Sequence, residues 1–429
     1  MMRRFDRSES ILTRSENVIP LGSQTFSKSR TQFPVGVSPL YLERGDGCHV
    51  WDVDGNEYVD FISSLCSVTL GYRDPDVDGA VRDQLDRGVI LSLPAALETE
   101  VAELICEIVP CAEKVRFGKN GSDATSGAIR IARAFTERDH VAVCGYHGWQ
   151  DWYIGTTARN RGVPQATRDL SHPFLYNDLA SLERLFAERP DQIAAVILEP
   201  MNVDYPQPGF LEGVRELATR HGAVLVFDET ITGFRYANGG AQQLFGVTPD
   251  LATFGKGLAN GYPVSAVAGR ADIMKMMEEV FFSFTFGGEL LSLAAAKATL
   301  EKLKREPVIE RITATGEALI AAVRAIIDES GMGHIFDIKG HPSWSFLTIA
   351  DQPGATSFAI KTWLMQEWHQ RGILNYGTHN LNYAHGEADI AVLLDAYRAT
   401  FPQLRDLLAA GTLADALRCP PLEPLFKVR

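Results

Sequence analysis

Cysteine is scarce in this 429-residue chain, with only six residues, at positions 48, 66, 106, 111, 144 and 419. Their spacing gives neither a dense disulfide framework nor the paired CxxC of a zinc site, so reduced, mostly buried thiols are expected. Long apolar runs are missing too. No stretch reaches the roughly 18 apolar residues of a membrane helix, and MMRRFDRSES lacks the apolar core of a secretory signal. Basic residues are outnumbered: 41 Lys and Arg face 54 Asp and Glu, a formal net charge of −13. A surface of that sign suits neither nucleic acid nor an anionic membrane. The expectation is a cytoplasmic protein acting on small molecules, with no nucleic acid, membrane or metal involved.

What remains is an ordinary globular composition, 45% hydrophobic and 22% charged, in a length that suits two domains. Ser8 to Val18 predicts a short helix, and the Gly-, Ser- and Thr-rich LGSQTFSKSR after it reads as loop. From Cys48 to Ile62 apolar and polar residues alternate around Asp54-Gly55, the pattern of a β-hairpin. Between about residues 75 and 310 short apolar runs (VAVCG, AAVILEP, AVLVFDE, LATFGK) alternate with helical patterns, which predicts an α/β fold with a mostly parallel central sheet. Beyond Glu310 come the helical ERITATGEALIAAVRAIIDESG and the strand-like HPSWSFLTIA. The expected division is an N-terminal segment 1–62, a large domain 63–308 and a small α+β C-terminal domain 309–429 that the N-terminal segment joins.

Four segments carry chemistry. In AVLVFDETITGFR, Asp228 follows five apolar residues, where a buried parallel strand ends and a ligand crevice opens. In LATFGKGLANGYP, Lys256 stands between two glycines that leave it room beside a flat ring. A lysine amine attacks carbonyls only when unprotonated, so burial or a nearby cation makes it a nucleophile or Schiff-base former. In VRFGKNGSDATSGAIRIARAF a strand passes through Gly121 and Ser122 into a helix whose Ala124, Ala128, Ile131, Ala132 and Phe135 share a face. Its free N–H groups and dipole suit a phosphate dianion. In CGYHGWQDWY, Tyr146 or Trp149 offers a cover for a planar heterocycle. Taken singly, these residues also read as an N-cap aspartate, a solvated lysine, an N-cap serine and core aromatics. In combination and in this order they are the parts that pyridoxal phosphate (PLP) requires.

The sequence resembles the class III aminotransferases of the fold-type I PLP enzymes, and within them the glutamate-1-semialdehyde aminomutase branch. The motifs run from IPLGSQTF and VWDVDGNEYVDF through NGSDATSGAIRIARA, YHGWQD, ILEP and DETITGFR to ATFGKGLANGYP. The resemblance implies that Lys256 holds PLP as a Schiff base and shuttles the substrate proton, while Asp228 binds the protonated pyridine nitrogen. It assigns Gly121 and Ser122 to the phosphate, Tyr146 to the ring face, and His147 and Glu199 to the polar surroundings of the cofactor. Thr230 takes the place of an aliphatic residue on the other ring face. Thr285 matches a threonine that reaches the neighbouring subunit's phosphate, which implies a homodimer with shared active sites. Pyridoxamine phosphate is the implied intermediate form.

Three departures from the aminomutase pattern bear on the substrate. Lys28 stands where that branch has an arginine for the substrate carboxylate, Leu65 replaces a tryptophan, and an acidic residue near YGTHNLNYAH is missing. In their place are polar side chains: Ser23, Gln24, Thr25, Ser27, Lys28, Thr378, His379, Asn380 and Asn382. Lys28, Gln24, Trp149 and Asn380 are the substrate candidates. The expected activity is transfer from an amino-acid donor, L-glutamate, to a carbonyl acceptor such as a keto- or aldehydo-sugar. The alternatives are the intramolecular aminomutase and a PLP-binding protein without catalysis.

Overall fold

Fourteen strands form among residues 3–424, the part of the chain described by this computed structural model: β1 (Leu42–Asp46), β2 (His49–Asp52), β3 (Glu57–Asp60), β4 (Lys114–Gly118), β5 (His140–Cys144), β6 (Ser171–Pro173), β7 (Ile193–Leu198), β8 (Val224–Asp228), β9 (Leu251–Phe254), β10 (Ser265–Gly269), β11 (Phe336–His341), β12 (Trp344–Ile349), β13 (Ile373–Leu374) and β14 (Thr378–Asn380). The chain divides into two compact units. Unit 1 gathers the residues up to Cys66, residues 70–73 and those from Glu310 on, and unit 2 holds 67–69 and 74–309.

Unit 2 is built on a seven-stranded sheet in the order β4-β10-β9-β8-β7-β5-β6. Strands β5 to β9 run parallel, and β10 lies antiparallel to both β9 and β4. Every residue of β7 and β8 is buried. Unbroken apolar runs such as IAAVIL are what a sheet covered on both faces demands. On one face the helix Gly121–Thr136 lays Ala124, Ala128, Ile131 and Ala132 against Val141, Val143, Val224 and Val226. Phe135, which extends that stripe in the sequence, is instead 39% exposed at the end of the helix. The helices Leu179–Glu188 and Phe210–Arg220 cover the opposite face through Leu182, Phe186, Phe210 and Leu217.

Unit 1 carries two smaller sheets, β1-β2-β3-β13 and β11-β12-β14. Strands β2 and β3 form the hairpin that Asp54-Gly55 predicts, with Gly55 at φ +86°. Asp52 fixes its turn by accepting the N–H groups of Asp54 (3.0 Å) and Asn56 (2.8 Å) and the Tyr58 hydroxyl (2.9 Å). Just after β3, Ser63, Ser64, Leu65 and Cys66 have φ of 45°, 48°, 61° and 65°, a left-handed turn made without glycine. Asp60 Oδ1 anchors it by accepting the N–H groups of Ile62 (2.7 Å) and Ser63 (3.2 Å). None of the six cysteines is in a disulfide. Among the described residues no helix is long and apolar enough to cross a membrane.

Candidate active site

In unit 2 the ends of the parallel strands bring the polar residues of the four motifs together. Asp228 closes β8 and is 4% exposed. Its Oδ1 accepts from the Thr230 hydroxyl (2.6 Å), the Thr230 N–H (3.1 Å) and the Thr253 hydroxyl (3.2 Å). Its Oδ2 faces Nδ1 of His147 at 2.8 Å, and the other His147 nitrogen faces the Cys144 carbonyl at 3.1 Å. Both imidazole nitrogens thus meet acceptors, an arrangement satisfied in full only when the ring carries both protons. Burial by itself raises the Asp228 carboxyl, but the bond and charge of His147, together with Thr230, outweigh it and hold the group below the ordinary carboxylate range. The carboxylate therefore stays ionised, and Oδ2 keeps a lone pair for one further donor.

Glu199 follows the last residue of β7 and behaves in the opposite way. It is buried, and that burial, followed by the charge of Asp228, pushes its carboxyl up. Its Oε2 accepts the Tyr146 N–H at 2.9 Å and the Asn202 amide at 3.2 Å. Two carboxyls in one buried region are thereby driven apart, one ionised and one inclined to keep its proton. The Glu199 contact also fixes the backbone beneath Tyr146, whose ring is 46% exposed.

The helix Gly121–Thr136 starts beside these groups. Asn120 caps it by accepting the Asp123 N–H at 3.1 Å, while Asp123 accepts the Asn120 N–H at 3.1 Å, a reciprocal capping box. Ser122 accepts the Trp149 N–H at 3.3 Å, so the aromatic loop rests on the helix start. Gly148, at φ +99°, lies so close that a methyl there would collide with the Ser122 hydroxyl. A Cβ on Gly121 would come within 2.9 Å of the Thr230 methyl. Lys256 begins the turn Lys256–Ala259 after β9 and is half-buried, with φ +43°. A non-glycine residue in this region costs about 1–3 kcal/mol and marks functional sites more often than frameworks. Gly255 before it packs 3.4 Å from the Thr230 methyl, measured to a Cβ built on it.

Five further sequence candidates divide between the two units. Thr285 is exposed in unit 2, lining a cleft of about 700 Å³ together with Ile90, Leu91, Leu93, Arg116 and Phe284. Trp149 is 64% exposed. Lys28, Gln24 and Asn380 belong to unit 1. Lys28 donates to the Ser64 hydroxyl at 3.2 Å, and Gln24 is exposed. Asn380 is interior, its amide donating to the Ile62 carbonyl at 2.7 Å. Sequence reasoning passed over two supporting residues, Thr253 and Asn202. Thr253 had a signal, as the one polar residue inside the buried strand LATF.

The sheet, its covering helices and the strand-end site define a fold-type I PLP-dependent transferase. Residues 32–383 match the aminotransferase class-III family. A 3-aminobutyryl-CoA aminotransferase of Cloacimonas acidaminovorans is 34% identical over 412 residues, 94% of this chain and 98% of the relative. A glutamate-1-semialdehyde 2,1-aminomutase of Syntrophomonas wolfei is 38% identical over 343 residues, 76% and 79% of the two chains. The solved FumI protein of Sphingopyxis sp. MTA144, in its PLP internal aldimine form, superposes with a TM-score of 0.88 at 29% identity, covering 97% of this chain and 99% of that one. This chain belongs to the class III aminotransferases, and PLP is its cofactor.

Proposed function

We propose that this enzyme moves an amino group from an amino-acid donor, L-glutamate, to a separate carbonyl acceptor in two half-reactions at one site. The observation that carries this reading is the Asp228 carboxylate, buried at a strand end, held ionised by His147 and Thr230, with a lone pair left on Oδ2. A protonated pyridine nitrogen suits that lone pair, and such a charge-assisted bond is worth about 1.5–3 kcal/mol. PLP, when bound, supplies a carbonyl for amines and a ring that accepts the electron pair left on the substrate carbon.

The chain's own residues do the rest. The N–H groups at Gly121 and Ser122, the Ser122 hydroxyl and the dipole of a 16-residue helix would hold the phosphate. Tyr146 would cover one face of the ring and the Thr230 methyl the other. His147 keeps Asp228 charged, and Glu199 holds the backbone of Tyr146. Lys256 would hold the cofactor through its amine, and that amine would be the group that carries the substrate proton. Thr285 would reach the phosphate of a second copy, which makes the proposed active unit a homodimer with shared sites. The exposed apolar residues Ile90, Leu91, Leu93 and Phe284 around its cleft favour this, because apolar patches of that kind mark protein contacts. The proposed compartment is the cytoplasm, where six thiols outside any disulfide stay reduced.

On the acceptor side, Lys28 offers a point charge for a carboxylate. The keto-sugar expectation leaned on polar side chains of unit 1, and four of them, Thr378, His379, Asn380 and Asn382, are interior. Ser23, Gln24, Thr25 and Ser27 are left to carry it. A carbonyl acceptor bearing an acid group is the better-supported class.

Enzyme loaded with PLP and mixed with excess L-glutamate should lose the visible absorbance of bound cofactor and release an equal amount of 2-oxoglutarate. Unchanged absorbance without oxoglutarate would overturn glutamate as donor. The aminomutase reading, favoured by the 38% identical relative, expects instead that glutamate-1-semialdehyde alone is isomerised with no donor added.

A further inference from the structure

We propose that Cys48, His49 and Asp389 bind one divalent metal ion of the zinc class, at a site wholly within unit 1. The thiol sulfur, an imidazole nitrogen and a carboxylate oxygen of these residues all lie within 4.8 Å of one another. Cys48 is the turn residue before the hairpin strand β2, His49 begins that strand, and Asp389 stands in the first turn of the helix Glu387–Ala410. Cys48 is 2% exposed, while His49 and Asp389 are half-buried, so the site has a closed floor and an open side.

The donor set decides the class of ion. One sulfur, one nitrogen and one oxygen suit Zn²⁺, which takes such ligands at about 2.0–2.3 Å with a fourth position for water or another side chain. Ca²⁺ and Mg²⁺ call for oxygen ligands throughout.

The groups around the ligands are those a metal site needs. A ligating imidazole is normally oriented by a carboxylate at its other nitrogen, and a ligating carboxylate is itself hydrogen-bonded. His49 Nε2 faces Asp389 Oδ1 at 2.9 Å. Its Nδ1 stands 2.9 Å from Glu57 Oε1, off the line of the N–H. Asp389 Oδ2 accepts the Gly386 N–H at 2.9 Å. His385, just before the helix Glu387–Ala410, is 2% exposed, its Nδ1 accepts the Asn382 N–H at 3.0 Å, and the Asp60 backbone hydrogen-bonds it as well. The charges of both Asp389 and His49 bear on His385.

With the ion bound, His49 Nε2 gives up its proton to become a ligand, Nδ1–H turns to Glu57, and the Cys48 thiol releases its proton to solvent. Thiolate and carboxylate then balance the two charges of the ion. The result is a clamp between the N-terminal hairpin and a helix 340 residues further along the chain.

The test uses PLP-loaded enzyme, dialysed against a chelator, returned to chelator-free buffer and titrated with Zn²⁺ in a calorimeter. The expected result is one Zn²⁺ per chain and a higher melting temperature with the ion. Affinity should fall by at least about tenfold in Cys48→Ser and Asp389→Asn, and by about 10- to 100-fold in Glu57→Gln. Failure of the wild type to bind Zn²⁺, or equal binding by Cys48→Ser and Asp389→Asn, would overturn the proposal. Should a variant fail to fold, anomalous scattering at the zinc edge from wild-type crystals gives an independent answer. A peak between Cys48, His49 and Asp389 sustains the site, and a peak elsewhere, or none, removes it.

Discussion

The two units keep buried polar groups out of water in different ways. Unit 1 relies on neutral imidazoles. His379 lies between the Ser345 and Tyr397 hydroxyls at 2.9 and 2.7 Å, and burial pushes it down to about 3. Burial likewise takes His369 and His385 down to about 4. Unit 2 relies on carboxyls. Glu229 accepts from the Thr232 hydroxyl, the Ala241 and Gln242 N–H groups and the Gln242 amide, while Asp228 is paired with His147. Unit 1 also has buried carboxyls, Asp52 and Asp60, but they fasten a hairpin and a turn. The difference separates framework from chemistry: a neutral, satisfied imidazole locks a fold, whereas a paired but still charged carboxylate remains available to a ligand.

The sharpest break of this comparison is Lys256→Ala, which should slow the glutamate half-reaction by about 10²- to 10⁴-fold, the usual share of one acid–base group. Stopped-flow absorbance measures it, and a rate within tenfold of wild type would remove Lys256 from proton transfer. Acid comes next and should strike unit 1. Its three imidazoles have folded values below the ordinary 6.5, so between that value and about 4 the unfolded chain holds more protons than the folded one. Stability is therefore full above 6.5 and falls as pH drops, by at most about 1.4 kcal/mol per pH unit for each ring. Four of the six tryptophans (Trp51, Trp344, Trp363, Trp368) belong to unit 1, so urea midpoints followed by fluorescence from pH 7 to 5 report it. A midpoint that does not move with pH contradicts the neutral-imidazole account.

A crossed pair of substitutions is the next test. Asp228→Asn keeps the shape and removes the charge, which should weaken PLP retention by about 10- to 100-fold, the equivalent of about 1.5–3 kcal/mol. His379→Ala should lower stability by about 1–3 kcal/mol and leave PLP affinity alone. If His379→Ala disturbed the cofactor more than Asp228→Asn did, the division of labour would be wrong. Gly148→Ala forces a side chain into a positive-φ position against Ser122 and should cost about 1–3 kcal/mol in apoenzyme melting. The smallest effect belongs to Lys28→Ala: under about 1 kcal/mol in stability, because its bond to Ser64 is exposed, with a raised KM for a carboxylate substrate as the informative change.

How much of this could be read in the sequence follows from where partners come from. Asp228 and Lys256 stood out because a buried parallel strand carries no charge until it ends. The hairpin at Asp54-Gly55 was legible for a similarly local reason. Unit 1's interior was not: the burial of Thr378, His379, Asn380 and Asn382 cannot be read from their letters, since a side chain satisfied by a neighbour and one awaiting a ligand look alike in a sequence. His147 is 81 residues from Asp228 and Asp389 is 340 from His49, so only folding reveals those pairs. The antiparallel β10 gave no signal either, because SAVAG reads as any buried strand does.

The turn Ser63–Cys66 has one more consequence. Four successive L-residues there occupy the mirror image of a helical turn, at about 1–2 kcal/mol each. Residues of inverted handedness would sit in it without that penalty. A semisynthetic enzyme carrying D-serine at 64 and D-leucine at 65 should therefore fold more firmly than the natural one, at a spot where altered stereochemistry acts as reinforcement.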